Sequence, residues 1–101
     1  MQINVSKHDG AARMSLNGRF DFNAHREFRG SYDAIIGDAE VREVEVDLGG
    51  VDYLDSSALG MLLLLKERAA AAHKSVALSN CRGMVAQVLE VANFNRLFNI
   101  K

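Results

Sequence analysis

The tightest constraint on the fold of this chain is an alternation of apolar and polar residues that recurs in four short segments. Ile3 and Val5 alternate with Gln2, Asn4 and Ser6, and Ala12, Met14 and Leu16 with Arg13, Ser15 and Asn17. Val44, Val46 and Leu48 alternate with Glu43, Glu45 and Asp47, and Val76 and Leu78 with Ser75 and Ser79. A period of two sends successive side chains to opposite faces of an extended strand. Each segment therefore predicts a strand with one apolar and one polar side, the third having an acidic face that must see water. A sheet buried between two layers shows continuous apolar runs instead, so the alternation predicts helices packed on a single face of the sheet. His8-Asp9-Gly10 supplies turn residues that close the first two strands into a hairpin.

Between the strands the apolar period lengthens. Gly18-Arg19-Phe20-Asp21-Phe22-Asn23 breaks the alternation, and from Asn23, a good cap residue, Phe28, Tyr32, Ile35 and Ile36 recur at helical spacing up to Gly37. After Asn80, a second cap candidate, Val85, Val88, Leu89 and Ala92 mark another helix with Met84 on its flank. The apolar tail Phe94 to Ile100 is expected to pack back on the domain.

The stretch that carries function lies in the middle. Asp55-Ser56-Ser57-Ala58-Leu59-Gly60 sits between an extended run ending near Leu48 and the apolar segment Met61 to Leu65. An acidic residue and two hydroxyls ahead of a leucine-rich pattern mark a helix start, because such side chains accept hydrogen bonds from the first free backbone N–H groups. Most tripeptides of this kind only cap. The helix runs from about Ser56 to Ala72. At 100° per residue Ala58, Leu59, Leu62, Leu65 and Ala69 gather toward the sheet, and Ser57, Gly60, Met61, Leu64 and Arg68 fall on the other side. Met61 and Leu64 beside Gly60 form either a docking strip or a surface covered by a neighbouring helix, and the pattern admits both.

The run Val51-Asp52-Tyr53-Leu54-Asp55-Ser56-Ser57-Ala58-Leu59-Gly60 resembles the signature of the STAS domain, the fold of anti-sigma factor antagonists. Position 58 is Ala where the commonest form of the motif has Gly. Gly18-Arg19-Phe20-Asp21 resembles the Gly-x-Leu-Asp segment of the same family, and the likeness extends through the tail to nearly the whole chain. The resemblance implies an α/β STAS fold with a mixed four- to five-stranded sheet. It implies partner switching as well: the unphosphorylated form binds an anti-sigma factor that is a serine kinase, phosphorylation at Ser56 releases it, and a metal-dependent serine phosphatase restores the first state. Asp21, Asp55, Ser57, Gly60, Met61 and Leu64 are then the expected partner contacts. ATP and magnesium would belong to the kinase, so no cofactor is expected here. The client is open, because related modules regulate secretion, motility and biofilm formation. The family also contains accessory subunits of membrane lipid-transport complexes, which often lack the Asp-Ser-Ser pair, and a nucleotide-binding sensor would draw weak support from Gly18 and Gly60.

Other chemistries find little in the chain. Catalysis by Ser56 would need a base held by a third group, and His8, His25 and His73 fall in a turn, a helix start and a helix end. No phosphate loop, zinc-spaced Cys/His set or dinucleotide fingerprint is present. Asp21, Asp52 and Asp55 read as capping and turn residues before a metal cluster. A net charge of −1 supplies no basic field for nucleic acid. The single cysteine, Cys81, excludes an internal disulfide, and with no signal-peptide layout or spanning segment the expected compartment is the cytoplasm. At 101 residues, 49% hydrophobic and 25% charged, the chain is expected to form one globular domain.

Overall fold

A computed structural model describes residues 1–101. Strands β1 (Gln2–His8), β2 (Ala11–Phe20), β3 (Glu43–Leu54), β4 (Ser75–Ser79) and β5 (Asn99–Ile100) form one mixed sheet in the order β1-β2-β3-β4-β5. β1 and β2 pair antiparallel through the Asp9-Gly10 turn, whose residues have φ of +50° and +82°. Two positive φ values in a two-residue loop match the twist of a tight hairpin, and Asp-Gly tolerates them at low cost. The remaining pairs are parallel and are joined by the helices α1 (His25–Ile36), α2 (Ser56–Ala71), and α3 with α4 (Gly83–Val91, Phe94–Leu97). Each crossover steps one strand in the same direction, and crossovers of one hand then leave every helix on the same face.

In β2 and the first part of β3 burial follows the sequence period, whereas edge strand β1 leaves Val5 47% exposed and β4 buries Ala77 and Ser79 along with Val76 and Leu78. Ala12, Met14, Leu16, Val44, Val46, Leu48 and Leu78 point into the helical layer and are at most 1% exposed. They meet Phe28 and Tyr32 of α1, Leu62 and Leu65 of α2, Val85 and Leu89 of α3, and Phe94 and Phe98 of the tail in one apolar cluster of 25 residues. Phe28 is the hub of an aromatic chain, with ring centroids 5.0 Å from Phe20 and 5.4 Å from Tyr32.

The strands run further than the alternation suggests. β2 continues to Phe20 and β3 to Leu54, because two register irregularities, at Ser15/Asn17 and Gly18/Arg19, interrupt the period of two without ending the ladder. Glycine makes both possible. A Cβ at Gly50 would stand 1.9 Å from the Asn17 Oδ1, and Gly18 has φ of +106°. After the first irregularity Val51, and after the second Leu54, again face the core.

Two cap assignments also change. Asn23 lies inside a short 3-10 turn, Phe22–Ala24, that precedes α1, and it is Asp21 that caps this turn by accepting the Asn23 N–H at 3.0 Å. Asn80 lies ahead of α3 in a left-handed conformation with φ of +56°, and its amide donates to Asp47 Oδ1 at 2.9 Å. α3 begins after Arg82 without a side-chain cap. Both asparagines serve turns rather than helix starts, and at Asn80 the positive φ suits a side chain that tolerates it.

The reverse face of the sheet is polar but not simply wetted. Glu45 and Asp47 side chains are only 20% and 19% exposed and lie 3.1 and 3.6 Å from the Arg13 guanidinium. Ser79, 5% exposed, donates to Glu45 Oε2 at 2.7 Å, and Lys101 reaches Glu43 and Glu45 at 2.9 and 3.5 Å. The Ser79 hydroxyl, with Arg13 and Lys101, holds the Glu45 carboxyl below its ordinary pKa. At Asp47 burial pushes the pKa up, but hydrogen bonds from Asn80 and the Gly49 N–H and the nearby Arg13 and Arg82 outweigh it and leave it lowered.

Two outcomes are expected. Met61→Ala should cost about 2–4 kcal/mol in urea denaturation, as removal of a buried side chain does, while Leu64→Ala should stay within about 0.5 kcal/mol. Because folding lowers the carboxyl pKa values of Glu45 and Asp47, their contribution to stability is complete above the unfolded carboxylate range near pH 4. It should be lost as pH falls through the folded values, and denaturation curves of Ser79→Ala across pH 2–6 should show a shallower acid dependence.

Candidate functional site

The site is built where β2 and β3 end together. Phe20 pairs with Leu54 in parallel register, and the Asp55 N–H donates to the Phe20 carbonyl at 3.3 Å. Asp21 and Asp55, each the next residue along, are therefore brought side by side at the rim from which α1 and α2 depart. Asp55 is extended (φ −109°, ψ −179°), and its Oδ1 accepts the Ala58 N–H at 2.9 Å. This is an N-cap, and it starts α2 at Ser56.

Ser56 is exposed and Ser57 half-buried. The first turn of a helix carries backbone N–H groups without helical partners and the positive end of the helix dipole, a surrounding that favours an anion. Asp21 divides its carboxylate, with Oδ1 on the Asn23 N–H and Oδ2 3.5 Å from Arg19 Nε. Arg19 in turn stacks on the Tyr53 ring at 4.2 Å, a cation–π contact that fixes the cation beside the site.

Along α2 the outward face is Ser56, Gly60, Leu63 and Glu67, with Leu64 at its edge. Leu63 and Leu64 are 39% and 47% exposed. No atom of the rest of the fold lies within 4 Å of where a Gly60 Cβ would stand, so packing does not demand glycine there. Met61 corrects the expected strip: at 4% exposure it belongs to the core. The outward face is turned by roughly 85° from the expected one, because α1 covers the Met61 flank, where Arg68 Nη2 meets Asp33 Oδ1 at 3.1 Å. Leu63, not singled out in the sequence, takes the place expected for Met61. In a run of four leucines the heptad signal is degenerate, and only the position of α1 decides which ones face water.

Asp52 is exposed, and no cluster of three or more His, Cys, Asp or Glu residues is placed to hold a metal ion. His25 is exposed and stacks loosely on Phe22, with ring centroids 6.3 Å apart. No helix is long and apolar enough to cross a membrane.

This chain belongs to the STAS domain family. The family model described as "Mlab, STAS domain" matches residues 3–99. A STAS-domain containing protein of Pseudomonas aeruginosa (strain UCBPP-PA14) is 44% identical over 87 residues, covering 86% of this chain and 84% of that protein. Among solved structures, an anti-sigma factor antagonist from Mycobacterium paratuberculosis superposes with a TM-score of 0.86 at 20% identity, over 98% of this chain and 83% of that one. The Bacillus cell fate determinant SpoIIAA in its phosphorylated form superposes with a TM-score of 0.76 at 16% identity, over 99% and 91% of the two chains. At these identities the solved structures establish the shared fold.

The cap supplies a direct test. Asp55→Ala should lower stability by about 1 kcal/mol while Asp55→Asn recovers most of it, with denaturation midpoints as the readout.

Proposed function

We propose that this protein is an anti-sigma factor antagonist that works by partner switching, with Ser56 as the residue that carries the switch. The observation that carries this reading is an exposed serine in the first turn of α2, directly after a capping aspartate and at the head of an outward face bearing two exposed leucines. SpoIIAA, which shares the fold, has been solved in both unphosphorylated and phosphorylated forms, and it lends the reading support.

In this mechanism the unmodified protein docks on its serine kinase, the anti-sigma factor, through Ser56, Ser57, Gly60, Leu63 and Leu64, with Asp21 and Asp55 at the edge. A serine hydroxyl is cheap to cover. Phosphorylation adds a charge of about −1.5 to −2 and three acceptor oxygens. The helix N-terminus accommodates the anion, so the domain stays folded. The partner must then desolvate that charge beside two carboxylates. A penalty of about 3 kcal/mol weakens binding more than a hundredfold, which suffices to release the kinase to its other client. A metal-dependent serine phosphatase returns the protein to its binding form in the cytoplasm. The chain itself acts as a binding module: neither a base for Ser56 nor a bound cofactor has a role.

Incubation with a serine kinase and ATP, followed by mass spectrometry, should place the phosphate on Ser56. Ser56→Ala should fold and bind the kinase constitutively, and Ser56→Asp should fold and bind weakly. Phosphate on Ser57 with Ser56 unmodified would move the switch by one residue, and equal binding by both variants would defeat the charge mechanism. Copurification with membrane transporter subunits in place of a soluble kinase would replace this reading with that of an accessory subunit.

A further inference from the structure

Resting on the assignment of Ser56 as the modified residue, we propose that Phe22 is the aromatic anchor by which the serine kinase holds this protein while it reaches Ser56. Phe22 is 70% exposed, although its neighbours Phe20 and Ala24 are 0% and 3% exposed and belong to the core. Phe22 thus lies between two buried residues, and the turn that launches α1 presents its ring to solvent. Folding gains little from a phenylalanine left in water, since the favourable transfer of its apolar area is forgone.

Its location links the ring to the switch. α1 and α2 both leave strands that pair in parallel, so they start at one rim and run in the same direction. Their far turns are tied by Arg68 and Asp33 at 3.1 Å, and counting back equally from these two residues reaches Ser57 on α2 and Phe22 ahead of α1. At the near end the Phe20–Leu54 register and the 3.3 Å bond from the Asp55 N–H to the Phe20 carbonyl fix the same alignment. Phe22 is held at the rim of the Ser56 corner by contacts at both ends of the helix pair.

A protein–protein interface covers about 800 Å2 of each partner, a patch roughly 16 Å in radius. Adjacent strands lie only about 4.8 Å apart, so the footprint of a kinase centred on Ser56 reaches the Asp21 rim and extends toward Phe22. Aromatic side chains enclosed at such positions dominate binding energy, and polar neighbours that exclude water surround them. Phe22 has polar neighbours of that kind: with Asn23, His25, Arg26 and Glu27 it lines a shallow depression. The matching feature on the kinase is an apolar socket beside its active site.

The test uses the purified kinase that phosphorylates Ser56. Phe22→Ala should keep the wild-type melting temperature within about 2 °C and weaken kinase binding by about 30-fold. Phe22→Tyr should restore most of the affinity. Because the anchor lies away from the reacting atoms, KM for this protein as substrate should rise while kcat is unchanged. A photoreactive phenylalanine analogue at position 22 should crosslink to the kinase, which keeps the test open if Phe22→Ala melts early. A folded Phe22→Ala with wild-type affinity and KM, or the absence of any crosslink, overturns the anchor and leaves the Ser56 assignment standing. A kinase that does not modify Ser56 at all overturns both.

Discussion

The parallel pairing of β2 with β3 is the interaction on which the rest of this structure depends. It holds the centre of the sheet, and its last register pair, Phe20 with Leu54, decides where two helices begin. The Asp55 N–H bonded to the Phe20 carbonyl closes that register at the rim. Residues more than thirty positions apart in sequence, Asp21 and Asp55, are thereby made neighbours. The acidic corner around Ser56 is a product of strand pairing, and a register slip of one residue would separate it while turning every core side chain to the wrong face.

The sheet separates two tasks by its two faces. The helical side carries the apolar core, with its central strand residues almost fully buried. The reverse side carries an ionic and hydrogen-bonded network through Arg13, Glu45, Asp47, Ser79 and Lys101. Half-buried carboxylates without partners would be costly, and paired with guanidinium, ammonium and hydroxyl groups they are satisfied. No buried side-chain polar atom is left without a partner. The start of α2 at Ser56 is exposed to solvent and belongs to neither arrangement. In the proposed switch the domain is consequently a rigid carrier of a changeable charge, and the change in affinity comes from the partner's need to desolvate it.

α2 illustrates why a helix of low amphipathicity can serve both core and surface. Leucines at successive positions leave apolar side chains on every side, and the neighbours choose among them. Met61, Leu62 and Leu65 pack inward, Leu59 is half-buried, and Leu63 and Leu64 remain in contact with water beside Gly60. In the proposed switch, this exposed apolar edge supplies binding area and the adjacent exposed serine the point of control.

Much of this was legible in the residues themselves. The alternation in four segments marked the four strands, and in β2 and β3 it marked the side that the helices cover, because a period of two sends alternate side chains to opposite faces; the exposed apolar side of β1 and the two buried sides of β4 follow from their places in the sheet. Asp55-Ser56-Ser57 determined the start of α2, because capping is a local interaction between a side chain and backbone N–H groups three residues away. What lay beyond sequence was whatever depended on contacts between distant segments. The glycine-permitted irregularities that carry β2 to Phe20 and β3 to Leu54 conceal the period of two, and the role of Asn80 is set by its bond to Asp47 on the neighbouring strand. The packing of α1 against α2 sent Met61 inward and Leu63 outward, because a uniformly apolar helix has no preferred face until a neighbour covers one.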